Sequence, residues 1–526
     1  MEHSAGSSRR TSRVLIAATL LLGTLLTPAA PQVSAAPVQT DATAQFEWFD
    51  GSVDDFYVVP DPLPHGEPGE LIRVQEVSAT ATHATVRIMY HSRDGMNRDR
   101  AVTGMLTYPL GDAPQEGWPV ISHAHGTTGL GSKCAPSRAG RAVWNWNLPV
   151  VAVESDYIGM GPVGEVHAYM SRASEGNSVI DAVRAARNLE AAEASTRWLT
   201  VGGSQGGHGA QSAHELAAVQ APELELLGTV SMAPAAMFLR TYGPLDSLVH
   251  RVVGAMGVVG VSTEHPDLDP VDYASPAGLR ALEASETECT SEITLNVLSV
   301  PVDGFYDRDP MATEPARSII NGNDVGHYRA DAPLLLVQGT ADITVTPERT
   351  RDLYARLCAN GQATEYVEVQ GADHGNVGSV YSDEIRAWMV ARLAGEPATS
   401  TCPTPVERPT VVPGAAAVSE GHQGTSTLSV PVTLTAPSTE RVTVRWGTIY
   451  VPGLHLPQAE PEVDIDTTSG TITFEPGETR AIAEIPLHGN TDPESNRLVV
   501  LSFGSPTNAR LGGFWGLGFG VVVDDD

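Results

Sequence analysis

Lysine is almost absent from this chain of 526 residues. Lys133 is the single one, and the 32 basic residues face 63 acidic ones, which gives a formal net charge of −31. Proteins that hold nucleic-acid phosphates do so with clustered Lys and Arg, but beyond the first dozen residues the chain has no basic run. The composition therefore argues against a nucleic-acid partner and disfavours binding to anionic membrane surfaces.

Long apolar runs are missing after the amino terminus, so no later stretch predicts a membrane-spanning helix. The first apolar run, Val14 to Leu26, follows three arginines and precedes the small residues Val33-Ser34-Ala35. This order is typical of an export signal, and the run is too short to span a bilayer. We expect residues 1–36 to be a signal peptide and the mature chain to be secreted, without stable membrane insertion. The export route, Sec or twin-arginine, stays open.

Cysteine is also scarce. The mature chain contains four, at Cys134, Cys289, Cys358 and Cys402. In an oxidising compartment an even number predicts two disulfides, with three connectivities open. Metal binding is the weaker alternative, because no CxxC or paired-His spacing accompanies them.

The composition is 41% hydrophobic and 18% charged, which suits packed domains. Over residues 37–402, short β-branched runs alternate with amphipathic stretches, a pattern that predicts an α/β domain with a mostly parallel sheet covered by helices on both faces. The strand candidates are 120–122, 150–153, 198–201, 227–230, 334–337 and 366–369. The helix candidates are 176–190, 205–220, 347–360 and 383–393.

An unusually long connection interrupts this alternation. About 100 residues separate the strand that ends near Ser231 from the strand that begins at Leu334, whereas such connections usually have about 2–6 residues. We expect an insertion at about 233–330 that forms a helical cap over a substrate pocket. Ordinary core helices are the alternative.

The pattern changes after Cys402. Four prolines between 403 and 413 predict a stiff linker over 403–414, and from Ala415 helix signals vanish. Residues 415–526 predict an all-β sandwich. Its strand candidates are 427–434, 442–446, 471–474, 480–486, 498–503 and 518–523.

The clearest chemical motif is Gly202-Gly203-Ser204-Gln205-Gly206-Gly207, between a predicted strand and a predicted helix. This is the G-x-S-x-G context, in which a strained turn exposes a serine hydroxyl and glycines permit close backbone approach. The motif predicts that Ser204 is a nucleophile. A glycine-rich turn without a catalytic role is the alternative.

A serine near neutral pH needs a general base, and the base needs an acid that fixes its tautomer. In this fold the chain order is Ser, then Asp or Glu, then His. Asp342 and His374 each follow a predicted strand, in that order. We prefer Asp342 to Asp373 as this acid. Asp373 directly precedes His374, and the side chains of adjacent residues point poorly at each other.

The oxyanion formed by serine attack needs positioned N–H donors. The Gln205 N–H supplies the first, and we expect the second from the loop after the 120–122 strand, from Thr127 with Gly126 close behind. His123 and His125 with His208 form an alternative metal set, which is weaker because the His-Gly pair after a buried strand already has a role.

Several motifs in order carry a family resemblance. His125-Gly126-Thr127-Thr128-Gly129 precedes Cys134-Ala135-Pro136-Ser137, Asp156-Tyr157-Ile158-Gly159-Met160-Gly161 and Gly203-Ser204-Gln205-Gly206-Gly207-His208. Over about residues 45–402 the chain resembles the secretory lipase family of α/β-hydrolases, the yeast lipase A type. The resemblance implies secreted serine hydrolases of carboxylic esters with a helical cap, the triad Ser204, Asp342 and His374, and disulfides Cys134–Cys289 and Cys358–Cys402.

The carboxyl-terminal segment resembles a Calx-beta domain, through Val418-Ser419-Glu420-Gly421, Asp464-Ile465-Asp466 and Pro476-Gly477-Glu478. Some members of that family bind Ca²⁺ through clustered carboxylates, which suit this cation. A structural calcium site is therefore one interpretation, and an acidic solvated edge is the interpretation we prefer, because Asn496-Arg497 stands where the family usually has a further acid. The candidate ligands are Glu420, Asp464, Asp492, Asp524, Asp525 and Asp526.

The sequence therefore predicts a secreted serine ester hydrolase that acts on an ester or lipid and needs no cofactor for catalysis. A serine peptidase or aminopeptidase is one alternative, since the same triad serves peptidases. A surface-adhesive module with incidental hydrolase activity is another. Oligomeric state and acyl-chain specificity cannot be predicted from these residues.

Overall fold

The computed structural model describes residues 46–241, 248–403, 408–451, 454, 456–512 and 516–525. The predicted signal peptide at 1–36 lies outside these residues, as do positions 404–407 of the predicted linker. The chain divides into two compact units, Met1–Cys402 and Pro403–Asp526.

The first unit is built on a ten-stranded mixed sheet whose strand order is β1-β2-β3-β4-β6-β5-β7-β8-β9-β10. Strands β5 to β10 pair in parallel with one another, whereas β2, β3, β4 and β6 are joined by antiparallel ladders. The strands are β1 (Glu47–Trp48), β2 (Leu71–Ala79), β3 (His83–Arg93), β4 (Asp99–Pro109), β5 (Trp118–Ala124), β6 (Val151–Ser155), β7 (Ala194–Gly203), β8 (Glu225–Met232), β9 (Leu334–Gly339) and β10 (Thr364–Val369).

Helices cover both faces of this sheet. The alternating side chains of β9 show why: Leu334 and Leu336 pack with Leu353 and Leu357 on one face, while Leu335 and Val337 join a cluster on the other. The helices outside the insertion are α1 (Val53–Phe56), α2 (Arg172–Asn188), α3 (Gln205–Gln220), α9 (Pro347–Ala359), α10 (Val377–Val380) and α11 (Ser382–Leu393). The α/β-hydrolase prediction is confirmed, and so are its six strands and four helices to within a few residues.

The predicted sheet was incomplete at one edge. The sequence patterns predict a mostly parallel sheet with no strands before residue 118, but β2, β3 and β4 form an antiparallel meander there. Most of β3 and β4 is buried, yet residues 83–88 of β3 alternate polar with apolar side chains, so the sequence did carry a strand signal there.

The insertion between β8 and β9 is helical, as expected. Its helices share a separate hydrophobic cluster that includes Met256, Leu282, Ile293 and Phe305. They are α4 (Phe238–Thr241), α5 (Leu248–Ser262), α6 (Pro276–Glu283), α7 (Thr290–Leu298) and α8 (Ala316–Gly322). Both disulfides implied by the family resemblance are formed, Cys134–Cys289 and Cys358–Cys402.

The second unit consists of two β-sheets whose strands contribute to one shared hydrophobic cluster, as in a sandwich. The sheet orders are β16-β13-β11-β18 and β12-β19-β17-β14-β15. The strands are β11 (Thr410–Pro413), β12 (Ala415–Ser419), β13 (Thr425–Leu434), β14 (Val442–Ile449), β15 (Ser469–Phe474), β16 (Arg480–His488), β17 (Arg497–Thr507), β18 (Arg510–Leu511) and β19 (Leu517–Val523). A Calx-beta assignment stays a prediction.

Candidate active site

Ser204 occupies the turn between β7 and α3. Its backbone angles, φ 57° and ψ −120°, lie in a region that non-glycine residues rarely adopt and that strained functional turns use. Two backbone hydrogen bonds hold the turn: Ser204 N donates to Met232 O at 2.9 Å, and Ala235 N donates to Ser204 O at 2.9 Å. Both partners follow or end β8, so the neighbouring parallel strand fixes the serine in place.

Glycine is required at two positions of this turn by close backbone approach. A Cβ on Gly206 would lie 1.9 Å from Ala124 O, and a Cβ on Gly202 would lie 2.1 Å from Gly206 O. These approaches bring the end of β5 against the first turn of α3. The glycine spacing of the motif therefore has a steric cause here.

His374 links Ser204 to Asp342. His374 Nε2 lies 2.9 Å from Ser204 Oγ, and His374 Nδ1 lies 2.8 Å from Asp342 Oδ2. The Asp342 side chain is buried, and its Oδ1 accepts hydrogen bonds from the backbone N–H groups of Thr344 and Val345 at 2.8 and 2.9 Å. A ring protonated at Nδ1 donates to Asp342 and can accept the serine proton at Nε2.

Asp373, the rival acid, faces its own turn instead. Its Oδ1 accepts from the N–H groups of Gly375 and Asn376, both at 3.0 Å. Because this carboxylate caps a turn, the geometry favours Asp342 as the partner of His374.

The loop after β5 lies beside the nucleophile turn. A Cβ on Gly126 would lie 3.6 Å from Gly203 O, and the Thr127 hydroxyl lies 2.9 Å from the hydroxyl of Tyr169. Gln205 is the first residue of α3. The Gly126–Thr127 segment and Gln205 are thus brought to the same turn, while their roles as oxyanion donors stay predictions.

The alternative metal set is not supported by the placement of its three rings. The His123 ring stacks on Trp146 and the His125 ring lies against Tyr157. His208 directs Nδ1 to Glu175 Oε2 at 2.6 Å and Nε2 to Asn323 O at 2.8 Å. Burial lowers the pKa of His123 to about 4.

A buried polar network that no sequence motif predicts lies next to Ser204. Gln205 Nε2 lies 2.8 Å from Glu175 Oε1 and 2.7 Å from His167 Nε2, and all three side chains are fully buried. Burial opposes the charged form of His208, but the adjacent Glu175 carboxylate raises its pKa, and His208 in turn keeps the pKa of Glu175 low despite burial. No repeating pattern in the sequence predicts this network, because its members lie on different segments of the chain.

The candidate calcium ligands within the described residues are not grouped as a metal site, and calcium binding stays a prediction. Asp464 is buried and accepts from Arg497 Nη1 at 2.6 Å. The Arg497 guanidinium therefore already neutralises this carboxylate. Asp525 accepts from Gly421 N at 3.1 Å, and Asp524 accepts from Glu494 N at 2.5 Å. Asp526 lies outside the described residues. Within the part of the chain that is described, no three Asp, Glu, His or Cys side chains are grouped to hold a metal ion.

The first unit is similar to known proteins in both sequence and fold. The secretory lipase family model matches residues 149–401. Over these residues, a little under half of the chain, the sequence is similar to secretory lipases. This span contains Ser204, Asp342 and His374.

The relatives that match this unit are distant. A protein described as a probable inactive lipase, MT1628 of Mycobacterium tuberculosis, is 23% identical over 385 residues, which cover 66% of this chain and 83% of that protein. The secreted triacylglycerol lipase LIP4 of Malassezia globosa is 22% identical over 395 residues, with 66% and 82% covered.

Solved structures share the fold of the unit. Candida antarctica lipase A is 18% identical, with a TM-score of 0.56 over 66% of this chain and 87% of that chain. The rice cell wall degrading esterase LipA from Xanthomonas oryzae is 18% identical, with a TM-score of 0.52 over 63% of this chain and 100% of that chain. Together these similarities support a hydrolase of the lipase and esterase type. None of the described helices combines the length and apolar character needed to cross a bilayer.

Proposed function

We propose that this protein is a serine carboxylic ester hydrolase. The observation that carries the proposal is the continuous hydrogen-bonded chain from the Ser204 hydroxyl through the His374 ring to the buried Asp342 carboxylate. Ser204 and His374 are both part-exposed, so a substrate can reach them.

The reaction proceeds through an acyl-enzyme. Ser204 Oγ attacks the ester carbonyl carbon while His374 Nε2 takes the hydroxyl proton, and the resulting tetrahedral oxyanion collapses as His374 returns that proton to the leaving alcohol. Water then adds to the acyl-enzyme with His374 again acting as base, which releases the acid and restores the Ser204 hydroxyl. Asp342 fixes the ring tautomer and stabilises the imidazolium.

Two N–H groups would stabilise the oxyanion, those of Gln205 and Thr127, with Gly126 as the neighbouring alternative. The proximity of the Gly126 segment to the nucleophile turn supports this assignment. Such donors act on charge that develops only in the transition state, so they raise kcat more than they lower KM.

The relatives support an ester or lipid substrate. One relative is described as a secreted triacylglycerol lipase and another as a probable inactive lipase, so activity has to be measured on this chain. Secretion through a signal peptide at 1–36 is part of the proposal. The secretory family and the two disulfides support it, and the amino-terminal sequence of the exported protein should begin near Pro37.

The test is a panel of p-nitrophenyl esters from C2 to C18. Ser204→Ala should lower kcat/KM by at least about 10³-fold, and Asp342→Asn by about 10⁴-fold through the wrong tautomer. Ser379→Ala is the matched control, since Ser379 is exposed and donates only to Asn376 O at 2.9 Å. Full activity in Ser204→Ala would refute the proposal. Faster cleavage of aminoacyl p-nitroanilides than of every ester would favour a peptidase.

A further inference from the structure

A cleft in the first unit lies at the end of the sheet opposite to the nucleophile. It has a volume of about 860 Å³ and is lined by the end of β2, the start of β3, the end of β4 and the segment 142–149 before β6. Strand β6 begins directly after this segment, so the cleft flanks the amino end of a parallel strand. Ser204 follows the carboxyl end of β7, at the opposite edge of the sheet.

An exposed indole forms one wall of the cleft. The Trp144 side chain is 50% exposed, and its ring stacks on Trp146 with centroids 3.9 Å apart and an interplanar angle of 23°. Trp146 is only 3% exposed and packs in the core. The stack holds the Trp144 face in a fixed orientation, so little side-chain entropy is lost when a ligand covers it.

Neutral hydrogen-bonding groups line the rest of the cleft. Asn145 Nδ2 lies 3.1 Å from His83 Nε2, and His83 Nδ1 lies 3.0 Å from Thr82 Oγ1. The Thr82 hydroxyl is thus positioned by the His83 ring at the lining of the cleft. The side chain of Asn147 adds an amide beside it.

No Asp, Glu, Lys or Arg lines the cleft, although the whole chain has a net charge of −31. A charged ligand would therefore find no counter-charge there.

Trp146 and Asn147 also adopt left-handed backbone conformations in succession, with φ 58° and 54°. Such backbone costs about 1–3 kcal/mol per residue and clusters at ligand clamps and other functional sites.

We propose that this cleft binds a neutral carbohydrate, independently of the ester hydrolase site. The apolar C–H face of a sugar ring would stack on Trp144, and its hydroxyls would bond to Thr82 and Asn147. Because Ser204 lies at the other edge of the sheet, a bound polysaccharide would leave the nucleophile accessible and hold the enzyme on a carbohydrate surface.

The experiment is calorimetric titration of the full-length mature protein with neutral hexaoses of β-glucose, β-xylose and β-mannose. At least one should bind, and Trp144→Ala should weaken that binding by at least about tenfold, which is 1.4 kcal/mol. Thr82→Ala, at an exposed position, should weaken it without disturbing the aromatic stack. Both variants should hydrolyse p-nitrophenyl butyrate at the wild-type rate.

Tyr450→Ala is the matched control, since Tyr450 is 60% exposed and lies in the second unit. It should bind the hexaose as the wild type does. Three results would overturn the proposal. The first is no binding of any hexaose at about 10 mM, a concentration that would reveal even a weak site. The others are unchanged binding in both Trp144→Ala and Thr82→Ala, and binding only of charged oligogalacturonate or of adenosine.

Discussion

Gln205, the residue after the proposed nucleophile, donates from Nε2 to Glu175 Oε1 at 2.8 Å, and both side chains are fully buried. The second amide hydrogen is directed to His167 Nε2 at 2.7 Å. Glu175 is held in turn by His208. The residue whose backbone N–H should face the oxyanion is therefore fixed by its own side chain.

Gln205→Met removes both of these hydrogen bonds at similar side-chain length. We expect kcat to fall about tenfold with KM within twofold, because a loosened Gln205 backbone loses an interaction made only in the transition state. Gln211→Met is the control on the same helix, where a buried amide donates to Ser231 Oγ at 2.8 Å. Equal kcat in both variants would show that the network serves stability alone. Steady-state kinetics on p-nitrophenyl butyrate measures the split.

Glu215 should make stability depend on pH. Burial is the main cause that raises its pKa from 4.5 to about 7, although it accepts from Gly326 N and lies near Arg172. Between these values the folded protein binds a proton that the unfolded chain releases, so stability falls as pH rises. The full effect is about 3 kcal/mol.

Glu215→Gln cannot ionise, so its stability relative to wild type should rise by about 3 kcal/mol between pH 4.5 and pH 8. Urea unfolding at several pH values measures this difference. Glu190→Gln, at an exposed position, should show no such trend. A constant difference across the range for Glu215→Gln would contradict the assignment.

Most of the first unit could be predicted from sequence because its signals are local. The strand, the Gly-x-Ser-x-Gly turn and the helix from Gln205 to Gln220 follow one another directly, and the helix begins and ends where the pattern predicts. Asp342 and His374 were found the same way, because each follows a strand and parallel strands bring their carboxyl ends together.

The missed features depend on contacts between distant segments. Glu175 meets Gln205 and His208 only after α2 packs beside α3, and neither helix carries a sequence mark of that meeting. Strand β3 is an exception, because its residues 83–88 alternate polar with apolar side chains and could have been predicted from the sequence. Asp464 was predicted as a calcium ligand without its partner Arg497, because that arginine lies on another strand.

Gly206 and Gly203 should respond differently to the same substitution. Gly206→Ala would place a Cβ 1.9 Å from Ala124 O, whereas the Cβ of Gly203→Ala would lie 3.6 Å from its nearest neighbour, Met232 O. The first change must displace the β5 loop or the nucleophile turn, and a shift of about 1 Å can cost about 100-fold in rate. We expect ester turnover to fall about 100-fold in Gly206→Ala and by less than tenfold in Gly203→Ala. Similar losses would mean that backbone approach does not set this turn.

The Cys134–Cys289 disulfide lies where the insertion meets the predicted oxyanion loop. Next to it, Thr290 N donates to Thr128 O and Leu130 N donates to Glu288 O, both at 3.0 Å. The Cys358–Cys402 disulfide instead joins α9 to the end of the unit. The first bond should therefore affect activity as well as stability.

The two double serine variants separate these effects. Closing loops of 155 and 44 residues stabilises by about 5 and about 4 kcal/mol on the chain-entropy model, so both variants should lose comparable stability. Only Cys134→Ser/Cys289→Ser should lose ester turnover well below its melting temperature, because only there does the segment after Thr127 lose its link to the insertion. Equal turnover in the two folded variants would mean that the backbone hydrogen bonds hold the loop without the disulfide.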